Sequence, residues 1–227
     1  MKKVLALMLA VVLAVGLVGC GAMPSEVASG AAPASSAAVS STAPASSAVE
    51  EAMALGRGTW SGSTFTNTNT GVTVTVPDTW LMASDDDLAQ NCLSVDGATF
   101  TAWTEEDFAA QQIIPDAMAQ DPATGNNFSV QYENLAVATG GTSVDANKYL
   151  EIAKAQLANT GIEYTYNDVT TTTLNGIEYA VLPLDGVYSG TAFKQYLACR
   201  RWNDYIVLIT FTVMDGTDAS TFYGMFA

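Results

Sequence analysis

The chain has 227 residues, with 8 Lys+Arg against 23 Asp+Glu and no histidine. Lys2 and Lys3 belong to the N-terminal leader, so from Cys20 onward 6 basic residues face 23 acidic ones, a net −17; phosphate backbones repel such a body, and nucleic acid is not an expected partner. Without histidine the commonest metal ligand and the commonest neutral-pH general base are missing, and a Ser-His-Asp arrangement cannot be built.

In chain order, a positive start (Met1, Lys2, Lys3) leads into an apolar run from Val4 to Leu17. Its 14 residues make a helix of about 21 Å at ~1.5 Å per residue, short of the ~30 Å hydrocarbon core. The run therefore reads as a secretory signal and not as a span. Leu17-Val18-Gly19-Cys20 resembles the lipobox of bacterial lipoproteins. The resemblance implies removal of residues 1–19, attachment of a diacylglyceryl group with palmitate-type chains to Cys20, and anchoring on the extracellular face of a Gram-positive cell membrane. Two acyl chains at ~0.8 kcal/mol per buried CH₂ hold stably where one would not. The alternative is an ordinary signal peptide with an incidental cysteine. Residues 20–56 then form the lipidated cysteine and a tether. Between Ala22 and Leu55, Ala, Ser and Pro supply 12, 8 and 3 of 34 residues and no aromatic occurs, so nothing offsets the entropy of ordering and a disordered stalk of roughly 30–35 Å is expected.

Residues 57–227 are expected to form a single domain. Val72, Val74 and Val76 alternate with Thr73 and Thr75, giving a half-buried strand that Pro77 ends. Ser84 and Thr104 each precede three acids, the pattern of a helix cap and an acidic first turn. Val95-Asp96-Gly97-Ala98 reads as a two-residue hairpin pairing Leu93 with Phe100. Phe128, Val130 and Tyr132 form a period-2 face. Ser143 is the expected cap of a helix with an apolar stripe at Ala146, Leu150, Ala153 and Leu157, stopped by Gly161. Asn175-Gly176 and Asn203-Asp204 read as hairpin turns within an antiparallel meander from about Glu163 to Val213, whose last run, nearly all apolar, suits a strand covered on both faces. A short helix after Asp218 carries Phe222 and Phe226 back onto the sheet. The fold class is α+β: an antiparallel β-sheet meander covered by helices.

This layout resembles the PsbP-like (Mog-like) fold of small lipoproteins of Gram-positive bacteria. The residues that carry it are "GVTVTVPDTW", "FSVQYENL" before the long helix, and "NGIEYAVLPL" followed by "FKQYLACRRWNDYIVLITFTV". Thr79 stands where the family's Pro-x-Gly-Trp has glycine, and the final helix is short. Photosynthetic members assist an oxygen-evolving cluster, and no position here matches a cluster-related role. The resemblance implies a fold, which does not fix a function.

No catalytic residue, metal ligand or cofactor is expected. Asp85-Asp86-Asp87 lacks the alternating oxygens, turn glycine and distal Glu of a calcium loop and reads as helix-start charge. Glycoside chemistry needs only two acids at suitable separation, and the 23 acids leave that open. Cys92 and Cys199 read as free thiols, with a disulfide as the alternative; hairpin counting puts Cys199 opposite Leu208 in an apolar strand. Among the aromatics at 80, 103, 132, 164, 166, 179, 188, 196 and 202, Tyr188 in "DGVYSGT" is the one expected to be exposed and to touch a ligand or partner. The functional expectation is a lipid-anchored cell-envelope protein with a non-enzymatic binding or assembly role. Its partners would be the membrane through the anchor, and an envelope protein or glycan. The alternatives are a secreted glycan-acting enzyme using a carboxylate pair, or a carbohydrate-binding module. A transporter's solute-binding component fits poorly, because those are larger with two α/β lobes.

Overall fold

A computed structural model describes residues 55–93, 95–139, 143–214 and 216–226. Cys20, the leader and nearly all of the tether lie outside them. The described chain starts with Leu55 already buried and the Gly56 carbonyl accepting from Asn67 Nδ2 at 2.8 Å, so two residues assigned to the tether are packed against the domain.

Three short strands, β1 (Thr59–Ser61), β2 (Thr64–Asn67) and β3 (Val72–Thr75), form one small antiparallel sheet. After β4 (Leu81–Met82) come three short helices, α1 (Asp85–Leu88), α2 (Gly97–Thr101) and α3 (Glu105–Ala110). Ser84 with Asp87 and Thr104 with Asp107 close capping boxes at the first and third. The predicted hairpin at Asp96-Gly97 is instead the start of α2. Asp96 is extended (φ −79°, ψ 154°), and its carboxylate accepts from Thr99 N at 2.8 Å as an N-cap. A type I′ turn would need left-handed backbone there. Gly97 is required by crowding, since a Cβ would lie 1.6 Å from Asp86 Oδ1.

The large sheet adds β5 (Ile113–Gln120), β6 (Asn127–Asn134), β7 (Glu163–Tyr166), β8 (Thr170–Leu174), β9 (Ile177–Tyr188), β10 (Thr191–Trp202) and β11 (Tyr205–Val213). Its order is β4-β5-β6-β11-β10-β9-β7, all antiparallel, with β8 on the same edge of β9 as β7. "EYTYNDVTTTTL", at the start of the expected meander, forms two strands, which share the length of the 12-residue β9. The hairpins at Asn175-Gly176 and Asn203-Asp204 form as expected, and Cys199 lies opposite Leu208. Nearly every residue of the central β11 is buried.

Two helices, α4 (Leu135–Thr139) and α5 (Ala146–Leu157), follow β6. Asp145, not Ser143, caps α5 by accepting from Lys148 N at 2.8 Å; the Ser143 hydroxyl instead receives a hydrogen bond from Arg201. Tyr149, Leu150, Ala153 and Leu157 pack on Leu182, Leu184, Leu197 and Leu208, on one face of the large sheet. The other face, carrying Phe128, Val130, Tyr132, Val207, Ile209 and Phe211, packs on the small sheet and on α6 (Ala219–Tyr223). Phe226, in a 3₁₀ turn after α6, lies 5.8 Å from Phe128 and 5.5 Å from Phe211, ring centre to ring centre. Asn175, left-handed at φ 52°, clasps both groups of Thr73: its Oδ1 accepts from Thr73 N at 2.9 Å and its Nδ2 donates to Thr73 O at 2.8 Å. Its own N–H reaches Phe226 O at 2.8 Å. One turn therefore ties the small sheet, the large sheet and the C-terminus together.

Candidate functional site

The groups most worth following sit where the small sheet meets α1–α3 and β5. The sequence "IIPDAMAQ" places an acid inside an apolar strand, and the register between β5 and β6 slips between Pro115 and Ala117. Asp116 is the bulged residue. A bulge redirects a side chain that would otherwise keep the pleat, and here it carries the carboxylate to the seam between the two sheets. The side chain has no exposed surface. Its Oδ1 accepts from Gly58 N at 2.8 Å; its Oδ2 accepts from Asn67 Nδ2 at 2.8 Å and from Tyr132 OH at 2.6 Å. Gly58 must be glycine to come so close, because a Cβ would stand 2.2 Å from the Phe65 ring and 2.8 Å from Thr66 O. Burial is the largest influence on Asp116 and pushes its pKa above the usual aspartate value, against the hydrogen bonds from Tyr132, Asn67 and Gly58 and the charge of Arg57. Tyr132 is held well above the ordinary phenol value, first by burial and then by the Asp116 charge.

Arg57 lies in front of this network. Its Nη2 donates to Asp85 Oδ1 at 2.7 Å, its Nε is 3.9 Å from Asp116 Oδ1, and its Cζ lies 4.1 Å from the centre of the Phe100 ring. The Nε is buried and has no hydrogen-bond acceptor among the described residues, so the guanidinium is held by charge and by stacking on one side and by a true hydrogen bond on the other. Asp85 keeps 44% of its side chain exposed and Arg57 19%.

Around this pair opens a cleft of about 430 Å³, lined by Arg57, Gly58, Thr59, Trp60, Ala83, Asp85, Leu88, Phe100, Thr101, Trp103, Phe108 and Asp116. Its size falls within the ~300–1,000 Å³ of small-ligand sites. Trp103 meets Phe100 and Phe108 edge-on, with ring centres 5.1 and 5.3 Å apart, and Trp60 leans on Phe65 at 5.4 Å. Both tryptophans are only half-buried.

A larger hollow of about 630 Å³ lies at the outer sheet edge beside Glu163, Tyr164, Asp185, Phe193 and Lys194. Its three charged residues are exposed, and nothing there matches the buried ion network of the cleft. Tyr188 lines neither cavity. The loop expected around it is a tight turn at Ser189-Gly190 (φ 50° and 80°), with Tyr188 paired to Thr191 and half-buried against the α5 side of the sheet. Of the aromatics singled out in the sequence, Trp103 reaches the cleft; Trp80, Tyr132 and Tyr179 are core. Arg57, Trp60 and Asp116 were not foreseen. The acid in an apolar run was the signal available for Asp116, whereas two of its three partners lie 58 and 49 positions away in the chain.

The triple acid is divided among three tasks: Asp85 holds Arg57, Asp86 lies under Gly97, and Asp87 closes the α1 cap. Among the described residues Cys92 and Cys199 are both free, and they belong to clusters on opposite faces of the large sheet. Burial pushes the Cys92 thiol up to about 11 and the Cys199 thiol up to about 12.

No protein-family model and no curated protein matches the sequence. Among solved structures the chain is similar to cyanobacterial PsbP (CyanoP) from Synechocystis sp. PCC 6803, in solution, at 14% identity and a TM-score of 0.42, over 72% of this chain and 87% of that one.

Proposed function

We propose that this chain is a lipid-anchored cell-envelope protein that binds a ligand in the Arg57 cleft without transforming it. One observation carries the binding half: both carboxylates that line the cleft are already engaged. Asp116 is wholly enclosed and accepts from three donors, and Asp85 is ion-paired to Arg57. Glycoside cleavage needs one carboxyl free to give a proton to the leaving oxygen and a second free to attack or to activate water. Asp116 is enclosed beyond a substrate's reach, so the cleft offers one reachable carboxylate, Asp85, and the chain has no histidine to substitute. What remains is a pocket with aromatic walls and fixed polar groups, the make-up of a recognition site.

The anchoring half rests on Leu17-Val18-Gly19-Cys20. Two measurements on the full chain test the reading. Cys20→Ala should move the protein from the membrane fraction to the soluble or secreted one and abolish incorporation of labelled fatty acid; unchanged membrane retention with label would refute the anchor. Incubation with isolated envelope polysaccharide should release no new reducing ends; their release would establish the glycan-acting enzyme in place of the binder.

A further inference from the structure

We propose that the cleft is built for one neutral saccharide unit, seated against Trp60 and Trp103 and hydrogen-bonded by Arg57 and Asp85; this rests on the binding reading above. Sugar rings present flat C–H faces, and half-buried indoles offer a large, rigid apolar surface to receive them at little entropic cost. The polar end of the cleft offers both halves of what a hydroxyl needs. Arg57 is a donor and Asp85 an acceptor, 2.7 Å apart and pre-set by the stacking of Arg57 on Phe100. A pair of neighbouring hydroxyls, each able to donate and accept, can bridge them without leaving a charge unpaired. Thr59 and Thr101, exposed on the lining, add two more hydroxyls.

Charge selects against the alternatives. An anionic ligand would meet Asp85 beside it, Asp116 behind it and a strongly acidic body around it. A cationic ligand seeking an aromatic cage would find the Phe100 face already occupied by the guanidinium of Arg57. A neutral polyol suffers neither penalty. Asp116 does not touch the ligand in this scheme; it is a positioning residue that holds the start of β1 and the Nε edge of Arg57 in place.

The test is titration of the full-length protein, followed by tryptophan fluorescence, with N-acetylglucosamine, chitotriose and maltotriose, and with glucuronate, glucosamine and choline as charged counterparts. At least one neutral sugar should saturate. Trp60→Ala and Trp103→Ala should each weaken it about tenfold, the loss expected for one stacking face, with near-native circular dichroism. Arg57→Lys should weaken it more than Tyr188→Ala, which should leave it unchanged. Saturation by the charged probes only, neutral-sugar binding that survives both tryptophan changes, or no saturation by any neutral sugar at tens of millimolar would each overturn the assignment. Cleavage of chitotriose would sink the binding reading and leave the saccharide class standing; binding of choline without turnover would do the reverse.

Discussion

The network around Asp116 makes a demanding prediction through Asn67. This side chain is buried and uses both ends: Nδ2 donates to Gly56 O and Asp116 Oδ2, and Oδ1 accepts from Asn69 N and Thr70 N at 3.1 Å each. Asn67→Asp preserves shape and the accepting oxygen but replaces the donor with a second carboxyl oxygen, 2.8 Å from Asp116 Oδ2. At low pH the protonated acid keeps one donor, so the loss is that of about one buried hydrogen bond, ~1–2 kcal/mol. At neutral pH the enclosed pair cannot carry two charges. A shift of ~2–3 pKa units at 1.36 kcal/mol each adds ~3–4 kcal/mol. The sign follows from linkage. The folded variant retains a proton that the unfolded chain has released above ~pH 3.9, so the added acid costs stability progressively as pH rises through the raised folded value. The excess loss over wild type should therefore grow from ~1–2 kcal/mol near pH 4 to ~4–6 kcal/mol near pH 8, a large fraction of the ~5–15 kcal/mol of a typical domain. Urea titrations across this range, read by circular dichroism and with an unchanged m-value, measure it. Asn67→Ala is the control: it removes a donor that lowers the Asp116 pKa but adds no second carboxyl, so its loss grows less across this window. A penalty for Asn67→Asp that does not grow with pH would refute the reasoning, because it would mean that the two carboxyls do not share one enclosed site.

Three further outcomes follow from the packing. Gly58→Ala must drive a Cβ into the Phe65 ring and Thr66 O; a loss of about 1–3 kcal/mol is expected by urea denaturation, with weaker ligand binding because Arg57 is the preceding residue. Phe226→Ala removes a fully buried ring that contacts Phe128 and Phe211 and should cost ~3–5 kcal/mol, read by the same denaturation. Native Cys92 and Cys199 should resist thiol reagents near pH 8, since burial raises both pKa values far above it. On unfolding, protein prepared from cells that lipidate it should then show two reactive thiols out of the three cysteines; three would mean that Cys20 is unmodified.

Local chemistry was readable wherever it was the deciding influence. Asn175-Gly176 and Asn203-Asp204 turn the chain with residues suited to that backbone, and Ser84 and Thr104 cap helices with acids already in place. The apolar run of β11 announced a central strand. Asp96-Gly97 shows why the same signals fail: Asp-Gly suits a hairpin and equally suits an N-cap followed by a first helical residue. In the fold Asp96 caps α2 through Thr99 N while Gly97 packs against Asp86, a contact that no local pattern contains. Ser143 was expected to cap α5, but the helix starts behind Asp145 two residues later, and an arginine 58 positions away engages Ser143. The glycines around Tyr188 point to an exposed loop, but β9 and β10 stay paired up to the turn and hold the ring partly against the core. The cleft itself was the least visible part. Arg57 and Trp60 follow directly on a low-complexity stretch, and only folding brings them to Asp85, Phe100 and Asp116.

The central claim is that the Arg57 cleft holds a ligand and leaves it intact. A crystal structure of the protein grown with chitotriose tests it most directly. One sugar ring lying against Trp60 and Trp103, with hydroxyls shared between Arg57 and Asp85 and all glycosidic bonds whole, is the predicted result. An empty cleft with sugar bound elsewhere, or a cleaved product in the cleft, would contradict it.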